Sequence, residues 1–165
     1  MKKYNVIDLF AGCGGLSEGF LQSKRFNFLA HVEWEMPMVE TLRHNLVKRW
    51  GYNEIDAEKS VIRFDVQKTE ELFKGNWSKE SIDVYAKDNN SLIVEKGMDG
   101  LIDGKQVDVI IGGPPCQAYS IAGRAQSPNS MKDDYRNYLF ESFVKVVDHY
   151  KPKVFVFENV PGILS

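Results

Sequence analysis

The chain has only two cysteines among its 165 residues. They stand far apart, at positions 13 and 116, with no CxxC pair and no Cys/His cluster. That argues against a zinc site and against a disulfide framework, so no metal is expected. No apolar run approaches the roughly 20 residues needed to cross a bilayer, so no membrane is expected either. The start, MKKYNVIDLF, carries two lysines but then meets Asn5 and Asp8. It reads as a first strand, not a signal peptide, and a reduced cytoplasmic setting is the default. Charge of one sign is also missing: the formal net charge is −2. This excludes a global basic footprint for nucleic acid, and any such binding must use a local patch or polypeptide outside this sequence. No internal repeat or low-complexity tract is visible. What is present, 43% hydrophobic and 27% charged residues, suits one soluble domain with a real core.

Near-continuous apolar strands alternate with helical patterns. Strands are expected at 4–10, 26–33, 60–64, 107–113 and 153–160. A short helix is expected at 15–23, with Leu16, Phe20 and Leu21 inward. A longer one follows from about Met36, with Pro37 in its first turn, Val39, Leu42, Leu46 and Trp50 at helical spacing, and Gly51 as its stop. Leu139, Phe143, Val146, Val147 and Tyr150 define a third, which must stop before Pro152. Residues 66–105 are more polar and read as an excursion, with SIDVYA and SLIVE flanking KDNN as a surface hairpin. Such alternation implies an α/β fold: a doubly wound, mostly parallel sheet covered on both faces. Ligands then sit at the carboxyl ends of the strands.

The candidate residues all fall at such ends. DLFAGCGG is a glycine-rich turn in which Gly12, Gly14 and Gly15 allow a tight bend and close approach of a ligand. Its spacing is not GxGxxG, so the dinucleotide fingerprint is not met. Glu33, about twenty residues on, can accept hydrogen bonds from ribose hydroxyls, and Trp34 offers a flat face for a base. Asp65 can receive an exocyclic amino group; the plainer reading is a helix N-cap. Cys116 follows Pro114 and Pro115, which stiffen the turn and hold the thiol at a strand tip. An inert buried thiol is the plain alternative. Glu158 ends the fifth strand, where a salt bridge or cap is the bland account. A Cys and a Glu at neighbouring strand ends, beside a nucleoside site, form a nucleophile–acid pair. The loop after Cys116 carries Arg124, Lys132 and Arg136, fit for a lid with some phosphate-binding capacity.

These residues resemble the DNA (cytosine-5)-methyltransferase family. DLFAGCGGLSEGF is similar to its first motif, GGPPCQAYS to its catalytic motif and ENV to the motif carrying its glutamate. The resemblance implies a Rossmann-like S-adenosylmethionine-dependent methyltransferase fold, incomplete at the C-terminus. Residues 1–165 would be the N-terminal part of the catalytic domain, with 66–105 an insertion and the target-recognition region and late motifs absent. It implies Cys116 and Glu158 as catalytic residues. It implies cofactor contacts at Phe10, Gly12, Gly14, Gly15, Glu33, Trp34, Asp65, Val66, Gly113, Pro115 and Leu139. Substrate contacts would fall on Gln117, Ser120, Arg124, Arg136 and Asn159. S-adenosylmethionine is the implied cofactor and double-stranded DNA the implied partner, with a second chain for the late motifs. A cytoplasmic or nucleoid-associated role, as in restriction–modification, goes with it. The implied chemistry flips cytosine out of the duplex, adds the Cys116 thiolate to C6, and methylates C5. A tRNA cytosine-5 methyltransferase, or a non-catalytic cofactor- or partner-binding module, are the rival readings. The missing motifs make the isolated chain a fragment or half-enzyme in this reading.

Overall fold

A computed structural model of the chain describes residues 2–115 and 139–160. Alternation of buried side chains builds its sheet. In β1 (Tyr4–Leu9), Val6 faces one side while Ile7 and Leu9 face the other; in β4 (Val109–Gly112), Ile111 and Ile110 divide in the same way. With β2 (Phe26–Glu33), β3 (Val61–Arg63) and β5 (Val154–Phe157) they form one parallel sheet of order β3-β2-β1-β4-β5. The order reverses between β1 and β4, which opens a crevice at the carboxyl ends of those two strands.

Register brings the strand ends level. Leu9 pairs with Val32 on one side and Gly112 on the other; Val32 pairs with Ile62, and Gly112 with Phe157. The residues that follow each strand therefore rise along a single rim. The register between β1 and β2 shifts after Val6, where Ile7 pairs with Ala30. This lets Phe28 and His31 stack on one face, ring centres 4.7 Å apart.

One face of the sheet is covered by α1 (Gly15–Gln22), α2 (Met36–Trp50) and α3 (Glu54–Ser60). Helix α3 was not legible in the sequence; Asn53 starts it by accepting the Asp56 N–H at 2.7 Å. The other face is covered by α4 (Thr69–Lys74), α6 (Ser91–Ile102) and α7 (Leu139–Tyr150). Before α6 come α5 (Lys79–Tyr85) and a 3₁₀ turn over Ala86–Asp88.

The hairpin expected around KDNN is therefore wrong: both of its arms are helical. Ser78 accepts the Ser81 N–H and Asn90 accepts the Ile93 N–H, so each arm opens on a side-chain cap that favours helix over strand. The segment packs onto the sheet. Leu72, Phe73, Trp77, Ile93, Met98 and Ile102 belong to the main core. Helix α7 stops before Pro152, as its sequence requires. Strand β5 is shorter than expected and lies at the sheet edge, with Val154 and Phe155 55% and 57% exposed. Among the described residues no helix is long and apolar enough to cross a membrane.

Candidate active site

The glycine turn after β1 is wound by unusual backbone. Phe10, Gly12 and Gly14 all have positive φ, at 57°, 54° and 87°. For Phe10 this left-handed conformation costs of order 1–3 kcal/mol and persists only where the surroundings enforce it. Here Ala11 donates its N–H to the Val32 carbonyl at 3.1 Å, and Gly12 donates to Glu33 Oε2 at 2.8 Å. A Cβ on Gly14 would lie 2.5 Å from Leu42 Cδ1, so the bare glycine is what lets α1 begin against α2.

Glu33 is the keystone of the rim. It is buried, and besides Gly12 it accepts the N–H groups of Trp34 at 2.8 Å and Glu35 at 2.9 Å, both on Oε1. Beneath it, Asp8 is buried and accepts the Ser17 hydroxyl at 2.5 Å. Burial pushes the Asp8 carboxyl up to about 7; the Ser17 hydrogen bond opposes the rise and the charge of Glu33 adds to it. Asp65, after β3, is not a helix cap. Its Oδ1 accepts the Gln67 N–H at 2.9 Å in an Asx turn, and α4 opens later, at Thr69.

A cavity of about 460 Å³ lies along this rim. Nine of the eleven residues expected to touch a cofactor line it: Phe10, Gly12, Glu33, Trp34, Asp65, Val66, Gly113, Pro115 and Leu139. Gly14 and Gly15 are not among its lining. Five further lining residues escaped the sequence reading: Val32, Glu35, Pro37, Met38 and Phe64. The usable signal was positional, since all five are within four residues of Glu33-Trp34 or beside Asp65. The first turn of α2 faces the rim that the preceding strand feeds.

On the β4–β5 side, Glu158 donates its N–H to the Gly112 carbonyl at 2.9 Å, carrying the strand pairing one residue further. A Cβ on Gly113 would lie 2.7 Å from Glu158 Oε2, so the absence of a side chain makes room for that carboxylate. The Asn159 amide donates to the Pro114 carbonyl at 3.4 Å, and its Oδ1 accepts the Val160 N–H at 2.8 Å. Asn159 thereby straps the Pro-Pro turn to the end of β5. Cys116, Gln117, Ser120, Arg124 and Arg136 lie outside the described residues. The other thiol, Cys13, is exposed in the glycine turn.

The family model for C-5 cytosine-specific DNA methylases matches residues 4–66 and 61–165. The chain belongs to that family. Among its relatives, the type II methyltransferase M.Bpa9945I of Bacillus paralicheniformis is 37% identical over 185 residues, covering 97% of this chain and 41% of the relative. The DNA (cytosine-5-)-methyltransferase M.ApeKI of Aeropyrum pernix is 34% identical over 170 residues, covering 100% and 30%. The solved structure of the Entamoeba histolytica methyltransferase EhMeth aligns with a TM-score of 0.54 at 17% identity, over 99% of this chain and 40% of that one. This last likeness is one of fold. The chain thus spans less than half the length of each of these methylases. A methylase family implies a methyl donor, and the 460 Å³ cavity at the sheet's switch point offers room for one.

Proposed function

We propose that this chain carries the cofactor cavity and the nucleophile of a cytosine-5 methyltransferase that acts on DNA with S-adenosylmethionine. The observation that carries the reading is the single rim that joins two sites. The Glu33–Trp34–Asp65 cavity and the Gly113–Pro115 turn, strapped to Glu158 and Asn159, stand side by side at the switch point.

The cavity suits the adenosine part of such a cofactor. Trp34 and Phe64 supply aromatic walls, and Asp65 a carboxylate for an amino group. A carboxylate has about four acceptor positions. Three of those on Glu33 are taken by backbone N–H groups, so a ribose hydroxyl would find its acceptor on Oε2. Carboxylates around the cavity also favour a cationic sulfonium. When bound, S-adenosylmethionine supplies an electrophilic methyl group.

The protein's part is covalent and positional. The Cys116 thiolate adds to C6 of a flipped cytosine, while Glu158 holds the N3 and amino edge against the developing charge. C5 then takes the methyl group; loss of the C5 proton and elimination of the thiolate release 5-methylcytosine. Pro114 and Pro115 stiffen the approach to the thiol, and the Asn159 strap ties Pro114 to the residues that follow β5. We further propose that the polypeptide corresponding to the rest of the relatives, in the same chain or a second one, covers the exposed apolar edge of β5. This role belongs where DNA is, in the cytoplasm or nucleoid.

Titration calorimetry tests the cofactor half: S-adenosylmethionine should bind and NAD should not. A duplex carrying 5-fluorocytosine tests the other half in the complete enzyme. Mass spectrometry should find the adduct on Cys116, and Cys116→Ser should abolish it while leaving cofactor affinity intact. An adduct on Cys13, or on RNA alone, would overturn the assignment.

A further inference from the structure

Trp34 is pinned through its backbone from two sides. Its N–H is held by Glu33 Oε1, and its carbonyl accepts Arg63 Nε at 3.2 Å. Arg63 ends β3 and reaches outward from there into the helical segment that follows. Its Nη1 donates to the Val84 carbonyl at 3.3 Å and pairs with the Asp88 carboxylate. Its guanidinium lies 5.5 Å from the centre of the Tyr85 ring.

The side chains of Arg63 and Asp88 are only 20% and 12% exposed, so their pairing is shielded from solvent. Asn89 clamps the same residue by its backbone, accepting the Arg63 N–H at 3.1 Å and donating to its carbonyl at 2.9 Å, as a neighbouring strand would. From α2, Arg43 ties the Asp88 carbonyl to the Val61 carbonyl of β3. Tyr85 and Trp77 pack on Phe64, which lines the cavity.

We infer that Arg63 is a positioning residue through which residues 84–89 set the seat of Trp34, and with it the affinity for the adenosine part of the cofactor. The inference rests on the cofactor reading above. A planar guanidinium bridges two carbonyls and a carboxylate at once; an ammonium cannot hold the same fork. Arg63 touches neither methyl donor nor base in this scheme, so its effect falls on binding.

The test measures affinity of the whole 165-residue chain for two ligands that share adenosine, S-adenosylhomocysteine and 5′-methylthioadenosine, alongside its melting temperature. Arg63→Ala should weaken both by the same factor, roughly tenfold, the size expected for losing a charge-assisted hydrogen bond. Arg63→Lys should recover part of that loss, and Asp88→Ala, remote from the cavity, should reproduce part of it. Arg49→Ala, which breaks the exposed pair with Glu18, serves as a control and should change neither affinity.

A lower melting temperature with affinities unchanged within about twofold would overturn the inference and leave Arg63 as a fold contact. If Arg63→Ala does not fold, the Lys and Asp88 variants decide by the same criterion. Failure of the unsubstituted chain to bind either ligand overturns the cofactor reading itself, and this inference with it.

Discussion

Replacing Asp8 with asparagine should make the protein more stable, and increasingly so as the pH rises. The Asp8 carboxyl is 1% exposed and accepts the Ser17 hydroxyl. Its folded pKa is about 7, against 3.8 for the free side chain. Below about pH 4 the group is neutral in both states and contributes no penalty. Between about pH 4 and 7 the folded chain holds a proton that the unfolded chain has lost, so stability falls as pH rises through that window. At 1.36 kcal/mol per pKa unit the full gap comes to about 4 kcal/mol.

Asparagine does not titrate and still offers Ser17 an acceptor oxygen. The stability difference between Asp8→Asn and the unsubstituted chain should therefore grow by about 1.4 kcal/mol per pH unit across the window, then level off. Urea unfolding between about pH 5 and 8 would measure it, since other groups cancel in the difference. His31, on the neighbouring strand, carries the opposite sign. Burial pushes it down to about 4, so it costs stability as pH falls below its unfolded value of 6.5. In the parent chain the two slopes oppose each other; in Asp8→Asn the His31 slope should stand uncovered, with stability rising towards pH 6.5. Parallel curves, separated by the same amount at every pH, would refute the buried-proton account.

Two further outcomes follow from single contacts. Gly113→Ala brings a Cβ to 2.7 Å from Glu158 Oε2; methyl transfer by the complete enzyme should fall at least about tenfold in single-turnover measurements at saturating cofactor, a condition that removes any effect on the cavity that Gly113 also lines. The isolated chain should self-associate through the exposed β5 edge in light scattering, and lysine in place of Phe155, more than half exposed there, should suppress it, because a charge on an open edge discourages strand pairing.

Local signals brought Gly12, Glu33, Trp34 and Asp65 of the cavity lining into view from the sequence, while Phe10, Val66, Gly113, Pro115 and Leu139 came from the family resemblance. Apolar runs of strand length marked the sheet and the edge of it along which the cavity lies. Glu33, Asp65 and Glu158 stood out because each ends an apolar run, where a charge has to have a purpose or a partner. Segments whose fate depends on a few polar caps were not legible: Asn53, Ser78 and Asn90 decide for helix through single hydrogen bonds that no apolar period announces.

What only the tertiary structure decided is how distant residues meet. Parallel register sets Leu9, Val32, Ile62, Gly112 and Phe157 level. That level turns five separate strand ends into one rim, over which Asn159 reaches Pro114 and Glu158 reaches Gly113. Arg63 likewise looks in sequence like any polar residue at a strand end, and becomes a link between Trp34 and residues 84–89 only because β3 pairs with β2 and α5 and the turn after it fold back on β3. Local sequence chooses backbone conformation over a few residues; contacts between residues tens of positions apart depend on which strands pair and in what register, and that is settled by burial of the whole core.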